Sequence, residues 1–276
     1  MENFCQLIKP HEEATIQQYI SKCVYFYGGS MLWIYLSAVF VITGPVTLDQ
    51  PFPTNAEYPF VIYQQPLKSI VFVHQSVVCL QASAQLCMNI FMALLLWITT
   101  ARFELLVKEL RAVTNVHGLV QCIRQHQRLL QYAQEVVAIV RPFALTTISL
   151  STFALIIIIG LIFITGQPIS IKIQCVGLTF SGLSEVFMYT WPAEHLIHIS
   201  GEIIQQAAFD MQWYKQPVPL RKYLQMIMLK AQNPIVIAIP CVMPALSLNY
   251  YASYLSTVFS YFTTLRIIMQ NGENEE

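Results

Sequence analysis

Charge is what this sequence has least of. Of its 276 residues only 11% are Asp, Glu, Lys or Arg, against 55% hydrophobic, and ordinary soluble domains carry about 25% charged residues. The shortage is also uneven. No charged residue occurs over 23–48, 69–101, 142–171 or 231–265. Each window is longer than the roughly 20 apolar residues that cross a hydrocarbon core. A fifth stretch, 173–197, carries only Glu185 and Glu194. Five such windows exclude a soluble globular fold and predict an all-α, polytopic membrane protein with five transmembrane spans.

Other absences narrow the chemistry. Net charge is zero, which removes the electrostatic footprint of a nucleic-acid partner. The seven cysteines, Cys5, Cys23, Cys79, Cys87, Cys122, Cys175 and Cys241, are odd in number and none lies in the large loop at 45–68, so no disulfide framework is implied. There is no CxxC pair, no N-x-S/T sequon, no glycine-rich phosphate loop and no nucleophile elbow. The first apolar run is too long for a secretory signal and follows a polar segment. No internal repeat supports an inverted-repeat transporter. Neither an enzyme nor a cofactor is expected.

The few cations that exist are informative. With the N-terminus inside, twelve of the fifteen Lys and Arg fall in inner segments, and only Lys68, Lys172 and Arg266 fall outside. The positive-inside rule therefore places the N-terminus in and the C-terminus out.

Along the chain, 1–22 reads as a cytosolic helix. Spans one to four occupy 23–199, interrupted by a proline-rich outer loop at 45–68 and a cytosolic helical segment at 99–141. In that loop Pro45, Pro51, Pro53, Pro59 and Pro66 work against regular structure, and Tyr58, Phe60 and Tyr63 are its candidate apolar anchors. In the cytosolic segment Leu119, Cys122, Ile123, Leu129, Leu130, Val136 and Val137 recur at helical spacings, and such a face needs a packing partner. Span three is expected at 144–165, a short outer turn at 167–172 and span four at 173–197. Cytosolic helices follow over 200–233. The remainder, 234–276, reads as a kinked lead-in carrying Pro234, Pro240 and Pro244, a last span at about 245–267 and a short outer tail.

Few polar residues in the spans invite a role. Glu194-His195-Leu196-Ile197-His198 places two imidazoles at i, i+3, a spacing a metal could use, but no third ligand is near and boundary polar groups serve as well. His74 reads as a packed, hydrogen-bonded histidine ahead of a proton switch. An acid within a span is a functional candidate. Glu185 could contact a ligand, attract cations or hydrogen-bond two helices together. Ser253, Thr257, Ser260 and Thr264 recur at steps of four, three and four, one stripe at 100° per residue, widened by Ser256 and Thr263. Leu255, Val258, Phe259 and Phe262 fall on the other side. The stripe fits close helix packing and a hydroxyl-lined ion path equally well.

PALSLNYYASYLSTVFSYFTTLR, at 244–266, closely resembles the final-helix signature of insect odorant receptors, through Ser260-Tyr261-Phe262 and Leu265-Arg266. AAFDMQWYKQPVPLRKYLQMIMLKAQNP and VQCIRQHQRLL resemble the cytosolic segments of the same family. The resemblance implies the last five spans of a seven-span fold, the first two family spans lying before this sequence begins. It implies an odorant-binding subunit of a ligand-gated cation channel in the plasma membrane. Its partners would be a shared co-receptor in a hetero-tetramer, membrane lipid and a small volatile organic ligand. The last helix would line the pore through Ser253, Thr257, Ser260, Thr264 and Ile268, with a gate near Thr264 and Ile268. The cytosolic helices would hold the subunits together. The ligand would sit among Tyr35, Ala38 and Ile42 of span one, Val77, Val78 and Gln81 of span two, and Phe180, Leu183 and Phe187 of span four. A gustatory receptor, a metabotropic receptor and a secondary transporter are the competing readings.

Overall fold

The computed structural model describes residues 10–47, 52–54, 58–59, 62, 64–113, 115–163, 169–211, 213–215, 217–238 and 244–273. Nearly all of them are helical. In chain order the helices are α1 (Pro10–Thr47), α2 (Leu67–Ala112), α3 (Val116–Phe163), α4 (Ile169–His198), α5 (Ile204–Asp210), α6 (Val218–Ala231) and α7 (Leu248–Glu273). A π-helical turn, Ile199–Ile203, joins α4 to α5, and a short 3-10 turn, Trp213–Lys215, precedes α6. Among the described residues three stretches are long and apolar enough to cross a membrane: Ser21–Val46, Leu67–Ala112 and Val116–Gly160.

Helix ends follow local chemistry. Asn115 starts α3 by accepting the Gly118 N–H at 2.7 Å on its side-chain oxygen, and Ser247 starts α7 by accepting the Tyr250 N–H at 3.2 Å. Both are N-cap bonds to amides that have no partner inside the helix. Pro219 stands in the first turn of α6, where its missing N–H costs nothing. Pro234 follows its end.

Two prolines do not end a helix. Pro45 lies inside α1, where the loop was expected to begin, and Pro142 lies inside α3. The stretches expected as a cytosolic segment and as span three thus share one 48-residue helix. Proline removes one backbone donor and crowds the preceding turn. Outside helix propensity, however, burial of the flanking Val140 and Ala144, both fully covered, holds the axis together. The outer turn also shifts: α4 begins at Ile169, inside the segment read as a turn, and 164–168 lie outside the described residues.

The chain forms two compact units, 17–91 and 1–16 with 92–276. In the first, Tyr35 of α1 and Cys87 of α2 share a hydrogen bond of 3.1 Å. Phe52, Ile62 and Val71 make a small core under the proline-rich loop, with Tyr58 packed on it. Gln75, buried on α2, fastens that loop. Its side-chain oxygen accepts the Thr54 N–H at 3.0 Å, and its amide donates to the Tyr58 hydroxyl at 3.1 Å. Phe60 and Tyr63 lie outside the described residues.

In the second unit α3 packs along α4, and both pack on α7. One continuous core runs from Met92 to Tyr254. At one end it takes in Leu119, Cys122, Val136 and Val137 of α3, Ile204 of α5, and Leu224 and Ile227 of α6. The partner that the amphipathic part of α3 needs is therefore supplied by its own chain.

Candidate functional site

Three polar contacts tie the apolar helices of the second unit together. Ser151 of α3 donates to a Glu185 carboxylate oxygen of α4 at 2.8 Å, so of the roles open to Glu185 the structure displays the helix-joining one. One turn along each helix, the Tyr189 hydroxyl of α4 bonds Thr147 of α3. Thr152 of α3 then meets the Tyr254 hydroxyl of α7 at 3.0 Å. The Thr152 hydroxyl also bonds the Ile148 carbonyl at 2.6 Å. A hydroxyl has one proton, and the carbonyl must receive it, so Tyr254 is the donor to Thr152.

An aromatic cluster sits toward the other end of α4. Trp97 of α2 meets Trp191 edge-on at 5.2 Å and His195 at 5.0 Å. Phe187 stacks on Trp191 at 5.8 Å and touches Tyr251 of α7 at 5.4 Å. Such pairs prefer offset or edge-on contacts. The histidines of the Glu194–His198 segment consequently go separate ways: His195 joins the aromatic cluster, and His198 pairs with Glu202 at 3.0 Å. Glu194 accepts the backbone N–H of Leu248, the first residue of α7, at 3.0 Å. A carboxylate there also complements the helix dipole.

The π-helical turn that follows grips the segment leading to α7. Ser200 accepts the Ile235 N–H at 3.0 Å. Gly201 is packed so closely on Pro234 that a Cβ there would lie 3.1 Å from the proline Cβ. A π turn inserts one extra residue into a helix, and here it turns Ser200 and Gly201, both buried, toward that segment.

On α7 burial is one-sided. Tyr254 is buried, and Tyr251, Leu255, Val258, Phe262 and Leu265 are half-buried. Ser253, Ser256, Thr257, Ser260, Thr263, Thr264 and Ile268 are all exposed. Thr257, Thr263 and Thr264 return their hydroxyls to the Ser253 or Ser260 carbonyl at 2.8–2.9 Å. Phe259, expected on the covered side, is 63% exposed. At 100° per residue it lies at the flank of the hydroxyl stripe rather than opposite it.

The ligand candidates divide between the units. In the first, Ala38 is buried and Ile42 half-buried, while Tyr35, Val77, Val78 and Gln81 are exposed. In the second, Leu183 and Phe187 are half-buried and Phe180 is 72% exposed. His74 is exposed, not packed, because it points off the face of α2 that carries Val71 and Gln75. Gln75, Glu194 and the Thr152–Tyr254 pair went unread as site residues. Their partners lie 17 to 102 positions away in sequence.

Outside the charge-free spans, a small cavity of about 10 Å³ is lined by Leu106, Val107, Leu110, Cys122, His126, Ile204 and Ile227. His126 is 5% exposed, and its Nε2 has no hydrogen-bond partner among the described residues. Burial first, and then the charge of Lys230, push its imidazole down to about 4. Burial and nearby Glu109 push the Cys122 thiol up.

Comparison with known proteins agrees with this architecture. The 7tm Odorant receptor family profile matches residues 6–259. Odorant receptor Or2 of Anopheles gambiae is 28% identical over 148 residues, 54% of this chain and 38% of that one. Odorant receptor 22c of Drosophila melanogaster is 27% identical over 158 residues, 55% of this chain and 37% of its own. The matches thus span less than two-fifths of those relatives' lengths. The fold is similar to that of the insect olfactory receptor OR5 from Machilis hrabei in complex with eugenol. That match has a TM-score of 0.77 at 15% identity and covers 93% of this chain and 69% of that one. The chain belongs to the odorant receptor family of insects.

Proposed function

We propose that this chain is an odorant-binding subunit of a ligand-gated, non-selective cation channel. It works in the plasma membrane of insect olfactory neurons as a hetero-tetramer with a shared co-receptor. The observation that carries this reading is the bare hydroxyl face of α7. Among the described residues nothing covers it, and the hydroxyls of Ser253, Ser256 and Ser260 make no hydrogen bond there. Hydroxyls left unpaired in hydrocarbon are costly. A water-filled axis shared by several copies removes that cost, and a wall of hydroxyls with no fixed charge passes monovalent cations with weak selectivity. Ser253, Thr257, Ser260 and Thr264 would line that path, and Ile268 would narrow its outer end.

Assembly has support outside the spans. Phe209, Tyr214, Val218, Met226 and Leu229 are more than half exposed on α5, α6 and the turn between them. Apolar patches of that kind mark interaction surfaces, here the contact with neighbouring subunits. The odorant would meet residues among Tyr35, Ala38, Ile42, Val77, Val78, Gln81, Phe180, Leu183 and Phe187. Apolar and aromatic lining suits a volatile ligand.

Heterologous expression with the co-receptor tests the reading. Odorants should evoke a rapid cation current that needs both subunits, and alanine at Phe187 or Val78 should change which odorants are effective. Uptake of substrate with no rapid current would instead make the protein a transporter.

A further inference from the structure

The two sides of α7 are treated very differently by the rest of the chain. Its hydroxyl face is bare, whereas the face centred about 170° away is held by its own subunit. At the helix base Glu194 accepts the Leu248 N–H at 3.0 Å, behind a lead-in fixed by Ser200 and Gly201. About 9 Å further along the axis, Tyr254 donates to Thr152 of α3. Tyr254 is also the one buried residue of α7 among its described side chains, and Tyr250 stacks on it at 6.4 Å. Above the foot α7 also rests on apolar and ring contacts, Tyr251 against Phe187 among them. The bond at Tyr254 adds a directional contact to these.

We propose that the Thr152–Tyr254 hydrogen bond is a positioning contact for the channel. It draws α7 back onto its own subunit, away from the shared axis, and so favours the conducting arrangement. The inference rests on α7 being the pore-lining helix. Thr152 and Tyr254 touch no ion. They act on the pore only through the lean of the helix that carries Ser260 and Thr264. Glu194 serves as the pivot, because its bond lies at the first residue of the helix, where a tilt displaces atoms least.

Interhelical hydrogen bonds in membranes are worth enough to shift a two-state equilibrium about threefold, and about twentyfold at the upper end. The test uses the complete receptor with its co-receptor, carrying Tyr254→Phe, Thr152→Val or both. Each removes one partner with little change of shape. Either substitution should raise the odorant concentration for half-maximal current about threefold at equal surface expression, and the double variant should go no further. Unitary conductance should stay unchanged. Ser260→Cys is combined with each, and its modification by an external thiol reagent is followed. If Ser260→Cys is modified but half-maximal concentrations do not rise, or the single effects add, the positioning contact is wrong while the pore reading stands. If Ser260→Cys is never modified, the pore reading itself fails.

Discussion

Replacing His126 by leucine removes a titrating group whose effect on stability can be worked out from its surroundings. The imidazole is almost wholly covered, it faces a small apolar cavity, and its Nε2 has no hydrogen-bond partner among the described residues. Lys230 of α6 is the charge that acts on it, and Glu109 of α2 acts on Cys122 next to it. In the unfolded chain a histidine titrates near pH 6.5, whereas in the fold His126 titrates at about 4. Above pH 6.5 neither state holds the proton, and the full stability is present. As pH falls from 6.5 toward 4 the unfolded state takes up the proton and the folded state does not. Stability is therefore lost at about 1.4 kcal/mol per pH unit, about 3 kcal/mol in all. Thermal unfolding of the purified receptor between pH 7.5 and 5.5 measures it. The wild-type midpoint should fall by about 3–6 °C more than that of His126→Leu, from one unit of pH below 6.5. Equal falls in the two proteins would mean that His126 is already charged or hydrated in the fold.

Two further substitutions probe contacts that position neighbouring segments. Gln75→Leu removes its bonds to the Thr54 amide and the Tyr58 hydroxyl, at about 1 kcal/mol each. Limited proteolysis should cut the 45–68 loop faster while the helices stay intact, and an unchanged rate would count against the fastening role. Gly201→Ala forces a Cβ to within 3.1 Å of the Pro234 Cβ, overpacking that costs about 1–3 kcal/mol. Surface expression should drop, and Gly201→Val should drop it further. Normal levels of both would show that the lead-in to α7 is free to move.

How much of this was legible in the sequence depends on the range of the interaction. Charge-free windows are a property of consecutive residues, so the all-α membrane class could be read directly from them, and the Ser260-Tyr261-Phe262 pattern pointed to the family. The one-sidedness of α7 also followed from periodicity, apart from Phe259, which sits near the edge of the stripe. Helix continuity did not follow, because polarity changes at Arg141-Pro142 while the backbone continues through Pro142. The partners of Glu194, Gln75 and Tyr254 were invisible for a different reason. Each bond is closed by the fold between residues far apart in the chain, and a single sequence carries no trace of it. His126 was hidden likewise, since its burial depends on α2, α5 and α6 together.

The central claim is that the exposed hydroxyl face of α7 borders the ion path. Cysteine substitution with external thiol reagents tests it most directly, using the complete receptor, its co-receptor and odorant-evoked current. Ser260→Cys, Thr264→Cys and Ile268→Cys, all at exposed positions, should each make the current sensitive to the reagent. Val258→Cys and Phe262→Cys, on the covered face, should not. Equal sensitivity at all five positions, or none at any, would return the stripe to helix packing and contradict the account.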